Sequence, residues 1–224
     1  ADAVGAECIL EGGSSVVMSR AAERGLFAAF LPGKRLPLRY RVRFWFVDGG
    51  TWERDDPYRF LPTLGDVDLH LFSEGTHRRL WECLGAHART IDGVDGVAFA
   101  VWAPSARRVS VVGEFCRWDG RHFPMWVIGS SGIFELFVPG VAPGALYKYE
   151  IKTREGMIRP KTDPFAFSME APPGTASRVF TSSYEWGDRE WMDARGSRDL
   201  PREPVAFYEV HLGSWARVPE EGNR

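Results

Sequence analysis

Hydrophobic residues recur at every second position along several parts of this chain. Over Tyr40–Val47, Tyr40, Val42, Phe44 and Phe46 fall on one side, and Arg41, Arg43 and Trp45 on the other. Val97, Phe99 and Val101, then Val109 and Val111, repeat the pattern on either side of Ala103-Pro104-Ser105-Ala106. A period of two predicts strands, and a proline among small residues predicts the turn between them. Phe115, Trp118 and the turn pair Asp119-Gly120 follow. Two strands folded over an aromatic floor are the start of a β-sandwich. Leu26–Leu31 reads as a further strand ended by Pro32-Gly33, and Ser177–Phe180 as the last of its domain. Nearer the start, Glu7–Leu10 and Val16–Met18 read as short strands around a Gly12–Ser15 turn.

The alternating pattern occurs twice. Shifted by 107 residues without a gap, 25–60 falls on 132–167 with ten of 36 positions identical. Average composition gives only about two or three such matches. Tyr40 falls on Tyr147, Gly49 on Gly156, Asp56-Pro57 on Asp163-Pro164 and Phe60 on Phe167. A period near that of one sandwich domain predicts two tandem copies of one fold. By the same offset, the strand pair at 97–112 maps to before residue 5, so the first copy lacks its opening strand or more.

Between the copies, Thr63-Leu64-Gly65-Asp66 predicts a short helix capped by Thr63, with Leu64, Val67 and Leu71 on one side. After the second copy, Tyr184, Trp186, Trp191 and Met192 predict an aromatic-anchored turn or helix, and Asp193–Glu203 a polar linker. Val205–Leu212 is an almost continuous apolar run, the pattern of a strand buried on both faces.

Composition narrows the function classes. A chain of 224 residues with 44% hydrophobic content can bury one or two cores, and a net charge of −2 argues against nucleic acid as a partner. No apolar run approaches the ~20 residues of a membrane span, and no secretory leader is visible. Cys8, Cys83 and Cys116 are odd in number and lack metal-ligand spacing, which fits free thiols in a reducing, cytoplasmic setting. No phosphate loop, nucleophile elbow or metal signature is present, and no cofactor is expected. His70, His77 and His87 read as solvated or hydrogen-bonded side chains. The adjacent Asp55-Asp56 cannot flank a glycosidic bond. Nine tryptophans and 15 phenylalanines suit core packing first and carbohydrate stacking second.

The runs FAVWAPSARRVSVVGEFCRWDG, SGIFELFVPGVAPGALYKYEI, KTDPFAF and YEVHLGSW, in this order and spacing, resemble the bacterial glycogen branching enzymes of the α-amylase superfamily. DDPYRF, SEGTH and LGAH resemble that family's junction between its first two amino-terminal domains. The resemblance covers nearly the whole chain from Gly25 on. It implies an all-β fold of two tandem immunoglobulin-like sandwiches plus the first strand of a (β/α)8 barrel. Residues 1–72 would be the first sandwich with its short helix, and 73–83 a connector. Residues 84–180 would be a second sandwich of the family-48 carbohydrate-binding type, 181–204 a linker, and 205–224 the barrel's start.

The chain begins without methionine and ends in EEGNR, and reads as a fragment. The family's catalytic aspartate and glutamate lie at the ends of later barrel strands, so none is assigned and the fragment is expected to be inactive. The implied partners are α-glucan and the remaining barrel, not nucleic acid or a membrane. Of the residues with which family-48 modules hold glucan, Trp118 and Lys148 match two. The third, a second tryptophan, falls near Ile158 and Arg159, whereas the first copy has Trp52 there. Trp118 as a packing residue under its turn stays open. Two other readings of the whole stay open as well: a free-standing glucan-binding module, against which Val205–Leu212 argues, and a related debranching or trehalose-releasing hydrolase.

Overall fold

The computed structural model describes residues 3–22, 25–199, 202, 204–215 and 218–222. The chain divides into two units, Ala1–Ser182 and Ser183–Arg224.

The first repeat is a single five-stranded sheet. Its strands are β1 (Ala3–Leu10), β2 (Ser15–Ala22), β3 (Leu26–Ala28), β4 (Tyr40–Phe46) and β5 (Thr51–Asp55), in the order β3-β2-β1-β4-β5. One face is apolar, because Ala6, Cys8 and Leu10 stand opposite Phe44, Val42 and Tyr40. Paired residues of antiparallel strands share a face. On the other face Arg43 is tied to Glu7 at 2.5 Å and to Glu53 at 2.7 Å, as the alternation of Tyr40–Val47 predicts.

The second repeat is a two-layer sandwich. After α1 (Asp66–Glu74) come β6 (Gly85–Ile91), β7 (Val94–Trp102), β8 (Arg108–Gly113), β9 (Trp126–Val127), β10 (Ile133–Pro139), β11 (Leu146–Lys152), β12 (Ile158–Lys161), β13 (Ser168–Met169) and β14 (Ser177–Arg178). One sheet runs β6-β7-β10-β9. The other runs β12-β11-β14-β13, with β8 also paired to β11. Val97, Phe99 and Val101 of β7 meet Val109 and Val111 of β8 and Tyr147 and Tyr149 of β11 in the core between them. Burying each such side chain is worth about 1.5–3 kcal/mol.

The two repeats correspond in their hairpins but not throughout the 107-residue match: β3 shares a sheet with β4, whereas β10 lies in the sheet opposite β11, and Phe60 is buried where Phe167 is exposed. The β4–β5 register, Arg43↔Glu53, Phe44↔Trp52 and Trp45↔Thr51, becomes Glu150↔Pro160, Ile151↔Arg159 and Lys152↔Ile158 at the same 107-residue offset in β11–β12. Tyr40 Oη donates to Asp56 Oδ2 at 2.7 Å, and Tyr147 Oη to Asp163 Oδ2 at 2.6 Å. Asp56 accepts Tyr58 N–H and Asp163 accepts Phe165 N–H, so each aspartate also closes the turn that follows it. β1 pairs with β4 as β8 pairs with β11, but four residues out of step with the common offset. Among the described residues, nothing in the first repeat corresponds to β6 and β7.

In the structure the connector is wider than 73–83: residues 60–84, α1 included, pack on the outer face of the β6-β7-β10-β9 sheet. Phe60 meets Phe137 at 4.7 Å between ring centres, and Leu64, Leu69 and Phe72 pack around Ala100 and Ile133. Glu135, 1% exposed, accepts the backbone N–H groups of Thr63 and Leu64, which compensates its buried charge. The Thr63 cap expected from sequence is therefore not formed. Gly65 caps α1, its N–H donating to Asp68 Oδ2 at 3.3 Å. That later start turns the helix: Leu69 and Phe72 face the sheet and Val67 is exposed.

In the second unit, α2 spans Arg189–Arg195 and α3 Leu212–Trp215. Part of the polar linker expected over 193–203 (Leu200, Pro201 and Glu203) lies outside the described residues. The strand expected over Val205–Leu212 does not form. Residues 204–210 have no regular structure, Leu212 begins α3, and Phe207 is 93% exposed. A buried strand needs neighbours on both edges and both faces, and none stands beside this run among the described residues.

Candidate functional site

The outer face of the second sandwich's other sheet holds a cleft of about 530 Å³. In β11, Tyr147 and Tyr149 point into the core, so Lys148 and Glu150 point outward. Val112 stands opposite Lys148 and Pro160 opposite Glu150, which puts all four on one face. Ile158 shares that face, being two residues from Pro160, while Arg159 points the other way. The 173–176 turn forms the remaining wall, and Lys148 Nζ donates to Thr175 Oγ1 at 2.6 Å.

Trp118 enters from the turn after β8. Gly113 N–H donates to Cys116 Sγ and Trp118 N–H returns to Gly113 O at 2.9 Å, winding the segment tightly. Arg117 and Trp118 both have positive φ, 55° and 59°. A left-handed residue other than glycine costs roughly 1–2 kcal/mol, so two in succession are a local strain that the hydrogen bonds of this turn hold in place. Asp119 fastens the far side of the turn. Its carboxylate accepts the Arg121 backbone and guanidinium N–H groups, and the guanidinium holds it well below the usual carboxylate range. The Trp118 residue is left 41% exposed at the cleft, neither a core side chain nor a free one.

Gly120 packs against the cleft residue Glu150. A Cβ at Gly120 would lie 2.1 Å from Glu150 Oε1, so the main chain crosses directly over that carboxylate. Glu150 is also bound by Arg108 Nη2 at 3.3 Å, and Glu170 Oε2 accepts Ala176 N–H at 2.8 Å. The cleft thus offers one indole face, one ammonium, two carboxylates and an aliphatic floor of Val112, Ile158 and Pro160. Such a surface can stack on an uncharged ring and hydrogen-bond its hydroxyls.

Trp118 and Lys148, the matches to the family-48 pattern, meet in this cleft. Trp52 does not line it. It stands 49% exposed on β5 of the first sheet, with the Arg54 guanidinium 4.5 Å from its ring centre. By the repeat register Trp52 corresponds to Arg159, which faces away from the cleft side. Sequence reasoning missed Glu150, Glu170 and Pro160. Only the alternation of β11, counted outward from Tyr147, could have found Glu150.

A second group converges in the connector. His77 Nε2 lies 3.1 Å from Asp68 Oδ1 and 3.8 Å from Cys83 Sγ. No described helix is long and apolar enough to cross a membrane.

Residues 83–166 match the family Carbohydrate-binding module 48 (Isoamylase N-terminal domain). The chain is 51% identical over 218 residues to the 1,4-alpha-glucan branching enzyme GlgB of Paramagnetospirillum magneticum, covering 96% of this chain and 29% of that protein. It is 53% identical over 205 residues to GlgB of Rubrobacter xylanophilus, covering 91% of this chain and 28% of the relative. The pullulanase of Anoxybacillus sp. LM18-11 superposes with a TM-score of 0.37 at 16% identity, covering 79% of this chain and 24% of that one. The chain spans less than a third of the length of the curated relatives it matches.

Proposed function

We infer that this chain, half identical to 1,4-α-glucan branching enzymes along nearly all its length, is the amino-terminal region of such an enzyme. In this reading the whole protein works in the cytoplasm. It cleaves an α-1,4-glucan chain through a covalent glycosyl-enzyme intermediate and reattaches it as an α-1,6 branch. In this reading the carboxylates for that step belong to a catalytic barrel, and this segment positions the barrel and guides glucan.

The cleft is where glucan meets this segment. One observation carries the reading: Trp118, held half-exposed by two left-handed residues, faces the cleft that Lys148 also lines. The indole stacks on a glucose ring, and the ammonium, freed from Thr175, takes ring hydroxyls. Stacking gains about 0.5–1.5 kcal/mol per ring, by analogy with aromatic pairs. With one platform the affinity for a short glucan is on the order of millimolar, about 4 kcal/mol. Trp52 lies outside this site.

Electrophoresis through native gels with and without glycogen tests the reading. Glycogen should retard the chain and its Trp52→Ala variant, and Trp118→Ala should run as if no glycogen were present. Equal mobility of the unaltered chain in both gels would refute glucan binding. An iodine-stained amylose assay of the chain alone should stay flat; a rate that survives purification would overturn the assignment of the catalytic carboxylates to the barrel.

A further inference from the structure

The connector brings together three side chains that the glucan reading does not use. Asp68 lies in the first turn of α1, His77 follows the helix, and Cys83 ends the short turn before β6. Gly75, in the left-handed conformation, reverses the chain, and Thr76 and His77 N–H both return to Leu71 O. That reversal lays His77 back against the first turn of α1. Asp68 divides its oxygens: Oδ2 caps the helix at Gly65, and Oδ1 faces His77. Leu84 is buried in the connector core beside Cys83, which holds the thiol at the same place.

The oxygen, nitrogen and sulfur atoms all lie within 4.8 Å of one another. Tetrahedral zinc, with bonds of about 2.1 Å to nitrogen and oxygen and 2.3 Å to sulfur, sets N···O near ~3.4 Å and N···S near ~3.6 Å. The observed distances are 3.1 Å and 3.8 Å. A Cys–His–Asp set suits a borderline cation rather than calcium or magnesium, which take oxygen alone. We propose that Asp68, His77 and Cys83 bind one divalent cation of the zinc class, with a fourth position open to water, clipping α1 to the turn that enters the second repeat.

Binding exchanges protons. Without metal, Arg79 N–H donates to His77 Nδ1 at 3.2 Å, so the neutral ring carries its proton on Nε2, towards Asp68. The thiol donates to Leu80 O at 3.4 Å. On binding, the Nε2–H and Sγ–H bonds break and the cation bonds to Nε2, Sγ and Oδ1. One proton leaves to solvent, and the other is taken up at Nδ1, where the ring gives up its bond to Arg79. That amide sits on an exposed residue at the start of a short turn and can turn to water.

Cobalt(II), titrated into the full chain, is the probe. A thiolate-to-cobalt charge-transfer band should grow to saturation at one equivalent and vanish on adding excess zinc. Cys83→Ser should abolish the band, and His77→Gln and Asp68→Asn should weaken cobalt binding at least about tenfold. Cys8→Ala and Cys116→Ala should keep it. Circular dichroism checks that each variant is folded, and stoichiometric zinc should raise the melting temperature of the unaltered chain but not of Cys83→Ser. No band at stoichiometric cobalt, or a band that survives Cys83→Ser, would overturn the site. Neither result bears on glucan binding.

Discussion

Truncating Trp118 separates what its ring does for the fold from what it does for a ligand. A tryptophan side chain covers about 200 Å² when wholly buried. The residue is 41% exposed, so roughly three-fifths of that area is hidden. At about 25 cal/mol per Å², the hidden ~120 Å² is worth about 3 kcal/mol. Trp118→Ala should therefore cost about 2–3 kcal/mol, since the alanine Cβ keeps part of the contact. Trp118→Gly loses the same ring but also relieves the left-handed backbone at φ 59°, which costs a residue with a Cβ about 1–2 kcal/mol. Against that stands the extra freedom of glycine in the unfolded chain, about 0.5–1 kcal/mol. The glycine variant should then be the more stable of the two by about 0.5–1 kcal/mol, the reverse of the usual order. Urea unfolding at equal slopes measures the difference, and both variants should lose glucan. A glycine variant less stable than the alanine one would refute the strained-platform reasoning.

Four further results are expected. Gly120→Ala places a Cβ against the flexible end of Glu150, which can swing aside from Arg108 while the turn stays in place, and should cost no more than about 1 kcal/mol in urea unfolding. Tyr147→Phe leaves the buried Asp163 without its shortest hydrogen bond and should cost about 1.5–3 kcal/mol. Tyr40→Phe, beside the more accessible Asp56, should cost about 0.5–1.5 kcal/mol by the same measurement. Burial raises the Asp163 carboxyl above its ordinary 3.8 despite the hydrogen bonds to it. The folded chain therefore keeps this proton where the unfolded chain has lost it. The group's contribution is full below pH 3.8 and is lost as pH rises through the folded value. Melting profiles should show the unaltered chain losing stability over that window relative to Asp163→Asn.

The hairpins were legible in the sequence because a gapless offset survives inside a tight hairpin. Tyr40 and Tyr147, with Asp56 and Asp163, sit at matching places because each pair makes the same hydrogen bond across the same register. β1 escaped the comparison because the path from it to β4 differs by four residues from the path between β8 and β11. The helix cap was misplaced because Glu135, 72 residues beyond Thr63, takes the backbone groups that a local cap would have used. No local pattern reports such a partner. Val205–Leu212 has a strand's composition but no ladder partner among the described residues, and pattern alone does not make a strand.

That Trp118 and Lys148 share one cleft was legible only through resemblance. Trp118 and Lys148 are 30 residues apart and meet because β8 and β11 are paired, with Lys148 opposite Val112. Trp52 looked equivalent to a platform because it follows a matching turn. One residue of register decides its face, and Thr51, not Trp52, is the counterpart of Ile158. The Asp68–His77–Cys83 cluster has no metal-motif spacing, since a reversal at Gly75 rather than a regular period assembles it.

The most direct test of the central claim is a nitrogen-15 NMR titration of the chain with maltoheptaose. The cleft reading predicts millimolar, saturable shifts of the Trp118 indole N–H and of amides near Lys148 and Thr175, with Trp52 unmoved. Shifts confined to Trp52 and β5, or none at tens of millimolar, would contradict it.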